Sequence, residues 1–178
     1  ILLVPHFGCW EITGRVLSID TPVTFLYKPL RKASQEALLI KNRQKQSLSM
    51  ATADKKGVIK LQRAIKNKEL IGILPDQDPG EEGGVLAPFF GTNARSMTLL
   101  AKLARKNNAK VLLTWALRLP KGAGFEIHLE PVNILSEQGT VEADVALMNK
   151  VIESLVKTHP EQYLWNYKRF KSVVDYSS

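Results

Sequence analysis

Three short apolar runs, each shut off by proline, decide the fold class. Ile1–Val4 ends at Pro5, Val23–Tyr27 lies between Pro22 and Pro29, and Leu70–Leu74 ends at Pro75. Unbroken apolar runs of four or five residues read as strands buried on both faces. Segments of helical periodicity separate them. Asp54–Lys68 carries Val58, Leu61 and Ile65 on one stripe, and Thr140–Thr158 carries Val145, Met148, Ile152 and Leu155. A helix starting near Trp10 takes Ile12, Val16 and Leu17 inward; a basic helix is expected over 34–46 and another over Ser96–Asn107. Val111–Leu119 and Phe125–Val132, joined by a glycine-rich turn, read as a hairpin. Residues 75–91, rich in glycine, proline and acid, read as a loop. The pattern predicts an α/β fold with a mostly parallel central sheet, flanking helices and one antiparallel hairpin.

Charge narrows the partners. The 178 residues carry a net charge of +8, concentrated in Lys28–Lys68 and Arg95–Lys121. Such a chain favours polyanions. Nucleic acid is disfavoured, because Lys41–Lys68 holds no aromatic residue on which a base would stack. A hydrophobic fraction of 44% excludes disorder for the bulk of the chain. The one cysteine, Cys9, leaves no internal disulfide and reads as a small buried thiol rather than a nucleophile. No apolar run approaches the roughly 18 residues needed to cross a bilayer. The first residue, Ile1, already lies within an apolar run, so residues 1–178 read as a single domain cut from a longer protein.

In parallel α/β sheets the working groups sit on loops beyond the carboxyl ends of strands. Two loops there carry chemistry: the one after Val4 and the one after Leu74. The first reads His6-Phe7-Gly8-Cys9-Trp10-Glu11. Five positions along an ideal helix turn a side chain by about 140°, so His6 and Glu11 meet only if His6 lies in the loop and Glu11 in the first helical turn. A carboxylate beside an imidazole fixes its tautomer and stabilises the imidazolium, as a general base requires.

The wording of this segment resembles the histidine-x4-acid motif of the lysophospholipid acyltransferase superfamily, and His-Phe-Gly-x-Trp-Glu resembles the lipid A biosynthesis acyltransferases. Tyr27-Lys28-Pro29 is similar to that family's Tyr-Arg-Pro segment, and Ile73–Gly80 to its Asp-Gln-Asp loop. Pro88-Phe89-Phe90-Gly91, Pro160–Trp165 and Lys168-Arg169-Phe170 match as well. The resemblance implies a glycerolipid acyltransferase-like fold and transfer of a fatty acyl chain from acyl carrier protein to a hydroxyl of a lipid A precursor. It also implies a place on the inner membrane surface, at its cytoplasmic face, with an amino-terminal membrane anchor missing from this stretch; no cofactor is expected, nor a metal, since no carboxylate cluster joins Asp76 and Asp78. His6 is then the general base and Glu11 its partner, with Arg43 and Asp76 as further catalytic residues. Lys28, Gln77, Asp78 and Arg95 are implied in substrate binding. Lys28 stands where the family has arginine, which keeps the charge and loses the bidentate fork. The alternative is a sibling enzyme that acylates another glycolipid or a lysophospholipid from acyl-CoA or acyl carrier protein.

Overall fold

A computed structural model describes residues 1–29, 36 and 47–176. Six strands form one sheet in the order β3-β2-β4-β1-β7-β8. They are β1 (Leu2–Leu3), β2 (Val23–Tyr27), β3 (Leu48–Thr52), β4 (Leu70–Ile73), β7 (Val111–Arg118) and β8 (Phe125–Val132). The first five run parallel; β8 closes the edge antiparallel to β7, with Val111 opposite Val132 and Arg118 opposite Phe125. The α/β class, the parallel sheet and the hairpin are as the sequence predicts. β1 holds only two residues, yet it sits mid-sheet between β4 and β7, and both its leucines are fully buried.

The two faces are covered unequally. Leu3, Leu26, Ile71 and Ile73 join Leu61, Leu100, Met148 and Ile152 in the larger core. These come from α2 (Lys55–Lys66), α3 (Leu99–Asn107) and α4 (Val141–Thr158). On the other face Leu2, Val4, Val23, Phe25, Leu48 and Met50 form a smaller cluster, joined by Trp10 and Leu17 of α1 (Trp10–Leu17). An eight-residue helix cannot cover that width of sheet, and the uncovered part becomes a pocket.

Two expectations change. Val16 of α1 is 44% exposed, and the helix instead buries Thr13 and Gly14. A Cβ at Gly14 would lie 2.9 Å from the Phe25 ring, so the missing side chain lets helix and strand approach. Residues 75–91 are also not all loop. Gly84–Phe89 is β5 and Thr92–Met97 is β6, a separate antiparallel hairpin, and α3 begins only at Leu99. Phe90 and Gly91 both have positive φ, the signature of a type I′ turn. Pro88 hides the strand from sequence reading, since proline inside a run argues against a ladder. The helix expected over 34–46 lies outside the described residues, apart from Glu36, whose carboxylate accepts the Tyr27 hydroxyl at 2.8 Å. Among the described residues, no helix is long and apolar enough to cross a membrane.

Candidate active site

The bend after β1 positions His6. Gly8 has a φ of +58°, and a Cβ there would meet the Ala116 carbonyl oxygen at 2.0 Å. The close approach lets the Cys9 N–H donate to Ala116 at 2.8 Å and the Gly8 N–H to Gln162 at 2.9 Å. From the other side the Leu164 N–H donates to the His6 carbonyl at 3.2 Å. The loop is thus pinned by β7 and by the C-terminal segment before α1 begins.

Asp76, just past β4, takes His6 with both oxygens. Oδ1 lies 2.8 Å from Nδ1, and Oδ2 accepts the His6 backbone N–H at 2.9 Å. Asp76 is 2% exposed, so the contact is made out of water. An ionised carboxylate can only accept, so Nδ1 carries the proton and Nε2 keeps its lone pair. The Gln77 amide nitrogen stands 3.3 Å from that lone pair. The Trp10 ring meets the imidazole edge-on at 5.1 Å and limits its rotation.

His6 lines a pocket of about 430 Å³. Its lining is charged at the rim, with Glu11, Lys28 and Asp78, and apolar inside, with Phe25, Met50 and Leu74. Sheet order explains the shape. The pocket runs from His6 beside β1, across β4 and β2, to Met50 on β3, over the face that α1 leaves open.

A C-terminal segment braces the second loop. The Tyr167 hydroxyl accepts the Asp78 N–H at 2.9 Å, and the Ser172 hydroxyl donates to the Asp78 carboxylate. Burial pushes the Asp78 carboxyl up. The bonds from Ser172 and the Gly80 N–H, with the charges of Lys171 and Arg95, outweigh it and hold the group below its ordinary value. Tyr163 is buried against Phe7, and burial followed by the neighbouring Asp76 charge raises its phenol far above the usual range.

The structure therefore brings His6, Glu11, Lys28, Gln77 and Asp78 to one pocket, with Asp76 directly behind the imidazole. Around the imidazole the geometry differs from the sequence expectation. The sequence places Glu11 on the imidazole, whereas the carboxylate on Nδ1 is Asp76, 70 positions away. Glu11 stands exposed in the first turn of α1, on the pocket rim. Arg95 lies on β6, outside the pocket lining, and its carbonyl accepts the Arg169 guanidinium. Arg43 lies outside the described residues. Tyr163, Tyr167 and Arg169 were not singled out for a role in the sequence, although they belong to segments that carry the family resemblance.

Fold and site together define a mostly parallel α/β domain with a histidine–carboxylate pair beside a partly apolar pocket, an arrangement in which an imidazole can accept a proton. The family described as bacterial lipid A biosynthesis acyltransferase matches residues 1–172, and the chain belongs to it. The lipid A biosynthesis lauroyltransferase of Escherichia coli (strain K12) is 32% identical over 175 residues, 97% of this chain and 56% of the relative. The palmitoleoyltransferase of the same strain is 30% identical over 170 residues, 94% of this chain and 54% of that protein. A lipid A biosynthesis acyltransferase of Haemophilus influenzae is 31% identical over 166 residues, 93% of this chain and 51% of its own length. The chain spans about half the length of these curated relatives.

Proposed function

We propose that this chain carries the reaction centre of an O-acyltransferase that moves a fatty acyl group from acyl carrier protein to a hydroxyl of a lipid A precursor, at the cytoplasmic face of the inner membrane. One observation carries the reading: buried Asp76 holds the Nδ1–H of His6, and His6 lines a pocket whose walls include Phe25, Met50 and Leu74. His6 Nε2 takes the acceptor hydroxyl proton as the oxygen attacks the thioester carbonyl. The tetrahedral intermediate collapses, the carbon–sulfur bond breaks, and the imidazolium returns its proton to the departing thiolate. No acyl-enzyme forms. Asp76 stabilises the imidazolium, and Glu11 adds a second negative charge at the same rim. The apolar interior takes the acyl chain, while Lys28 and Arg43 attract phosphates. The net charge of +8 supports an anionic donor and acceptor.

The test is transfer by the intact protein from acyl carrier protein thioesters to a lipid A precursor, with the product weighed by mass spectrometry. His6→Ala and Asp76→Asn each lower kcat by about 10²–10⁴-fold, and Glu11→Gln lowers it too. Full activity in folded His6→Ala removes the general-base mechanism. Transfer from acyl-CoA alone replaces the donor, and acylation of a lysophospholipid in place of the lipid A precursor replaces the acceptor.

A further inference from the structure

The mechanism leaves the developing oxyanion without a donor. The thioester carbonyl oxygen gains negative charge as the acceptor oxygen attacks, and in a partly apolar pocket that charge needs a hydrogen bond aimed at it. Gln77 stands where such a donor is needed. It is half-buried, it lines the same pocket as His6, and its amide nitrogen is 3.3 Å from His6 Nε2. With Asp76 accepting from Nδ1, Nε2 carries one lone pair, and the Gln77 N–H donates to it in the free protein. The acceptor hydroxyl must approach that same lone pair to lose its proton, so it displaces the amide. The displaced N–H is then one side-chain rotation from the attacked carbonyl. The loop is fixed on both sides of Gln77, which confines the change to its side chain. Asp76 is tied to His6 by two bonds, and Asp78 is tied to the Tyr167 and Ser172 hydroxyls. Tyr27, another donor in the lining, already gives its hydroxyl proton to Glu36 at 2.8 Å.

We propose that Gln77 is a catalytic residue: its side-chain N–H occupies the Nε2 lone pair in the free protein and becomes the oxyanion donor once the acceptor hydroxyl takes its place. The role rests on the acyl-transfer reading above. The acceptor oxygen bonds to the thioester carbon, its proton passes to Nε2, and the carbonyl π pair moves onto oxygen, where the Gln77 N–H meets it. When that pair returns, the carbon–sulfur bond breaks, and the departing thiolate takes the proton from Nε2. Gln77 gives up no proton. Its amide returns to Nε2 as the products leave.

The experiment uses Gln77→Met in the intact protein, which keeps the length of the side chain and removes the N–H. A donor used only in the transition state lowers kcat and kcat/KM together, here by about 10²–10³-fold, and leaves KM for both substrates in place. Dodecylphosphonate, whose tetrahedral anion copies the oxyanion, binds Gln77→Met roughly 10–100-fold more weakly than wild type in calorimetry. Nitrogen nuclear magnetic resonance of histidine-labelled protein shows the His6 Nε2 signal displaced in the variant, because its lone pair has lost a donor. A raised KM with kcat intact makes Gln77 a ground-state binding group and overturns the proposal. Equal phosphonate affinity, or an Nε2 signal that does not move, overturns it as well. A wild-type protein that transfers acyl groups while Gln77→Met keeps its kcat overturns this role alone. A wild-type protein that neither transfers an acyl group nor binds the phosphonate overturns the acyl-transfer reading and this role with it. Should Gln77→Met not fold, Gln77→Glu, which keeps the shape and loses the donor, takes its place in the kcat and KM comparison.

Discussion

Asp76 holds His6 by ring and by backbone, so one substitution disturbs both the tautomer and the loop. Gly8 does the complementary work from the far side. With a φ of +58° and the Ala116 carbonyl where a Cβ would go, no L side chain fits without moving β7 or the bend. Gly8→Ala is expected to cost about 2–3 kcal/mol in urea unfolding, as backbone strain of this kind does. It also slows transfer more than the stability loss explains, because His6 is displaced with the loop. A histidine on a strand behaves differently. His128 stacks on Trp115 with centroids 4.6 Å apart and belongs to the β7–β8 packing.

At the scale of elements, the pocket exists because α1 is short and Phe25 is tightly seated. The Phe25 ring lies between Gly14 of α1 and Gly72 of β4, and a Cβ at Gly72 would come within 2.4 Å of it. Gly72→Ala is expected to destabilise the fold by about 1–3 kcal/mol through overpacking. It also drives the ring into the pocket, so KM for the acyl donor rises more than kcat falls. Unchanged KM with lowered stability removes the idea that Phe25 borders the acyl site. The elements themselves were largely legible. The apolar runs ended by proline, the stripes of α2 and α4 and the β7–β8 hairpin stand where their periodicity puts them, whereas the α1 stripe does not. β5 and β6 were not legible. Their alternation is interrupted by Pro88, and a turn with Phe90 in the left-handed region carries no asparagine–glycine signal.

Across the whole molecule, buried polar groups tie α4 to α3 and the C-terminal segment to the β5–β6 hairpin. Asp144, 1% exposed, accepts two bonds from Arg105 at 2.6 and 2.7 Å and bonds from Ser136. Burial pushes its carboxyl up. The bonds from Arg105 and Ser136 overcome that and hold it below its ordinary value. A carboxyl depressed in the folded state stabilises above its unfolded value and loses that contribution as pH falls through the folded one. Asp144→Asn is therefore expected to lower stability by about 2 kcal/mol at pH 7. The gap between variant and wild type narrows as pH drops below about 4. Thermal melts across that range check it, and a gap independent of pH removes the ionic contribution.

The chain by itself determined the class of fold and the two loops, one of them carrying His6, that build the pocket. Strand hydrophobicity, proline punctuation and an unusual His6-Phe7-Gly8 bend are local properties, written in consecutive residues. Only the tertiary structure decided that Asp76 rather than Glu11 lies on Nδ1, that the C-terminal segment pins the His6 loop, and that Phe25 and Met50 line the same pocket. Those pairings depend on β4 lying beside β1 and on a C-terminal segment folding back over both, and strand order is chosen by packing between residues far apart in sequence.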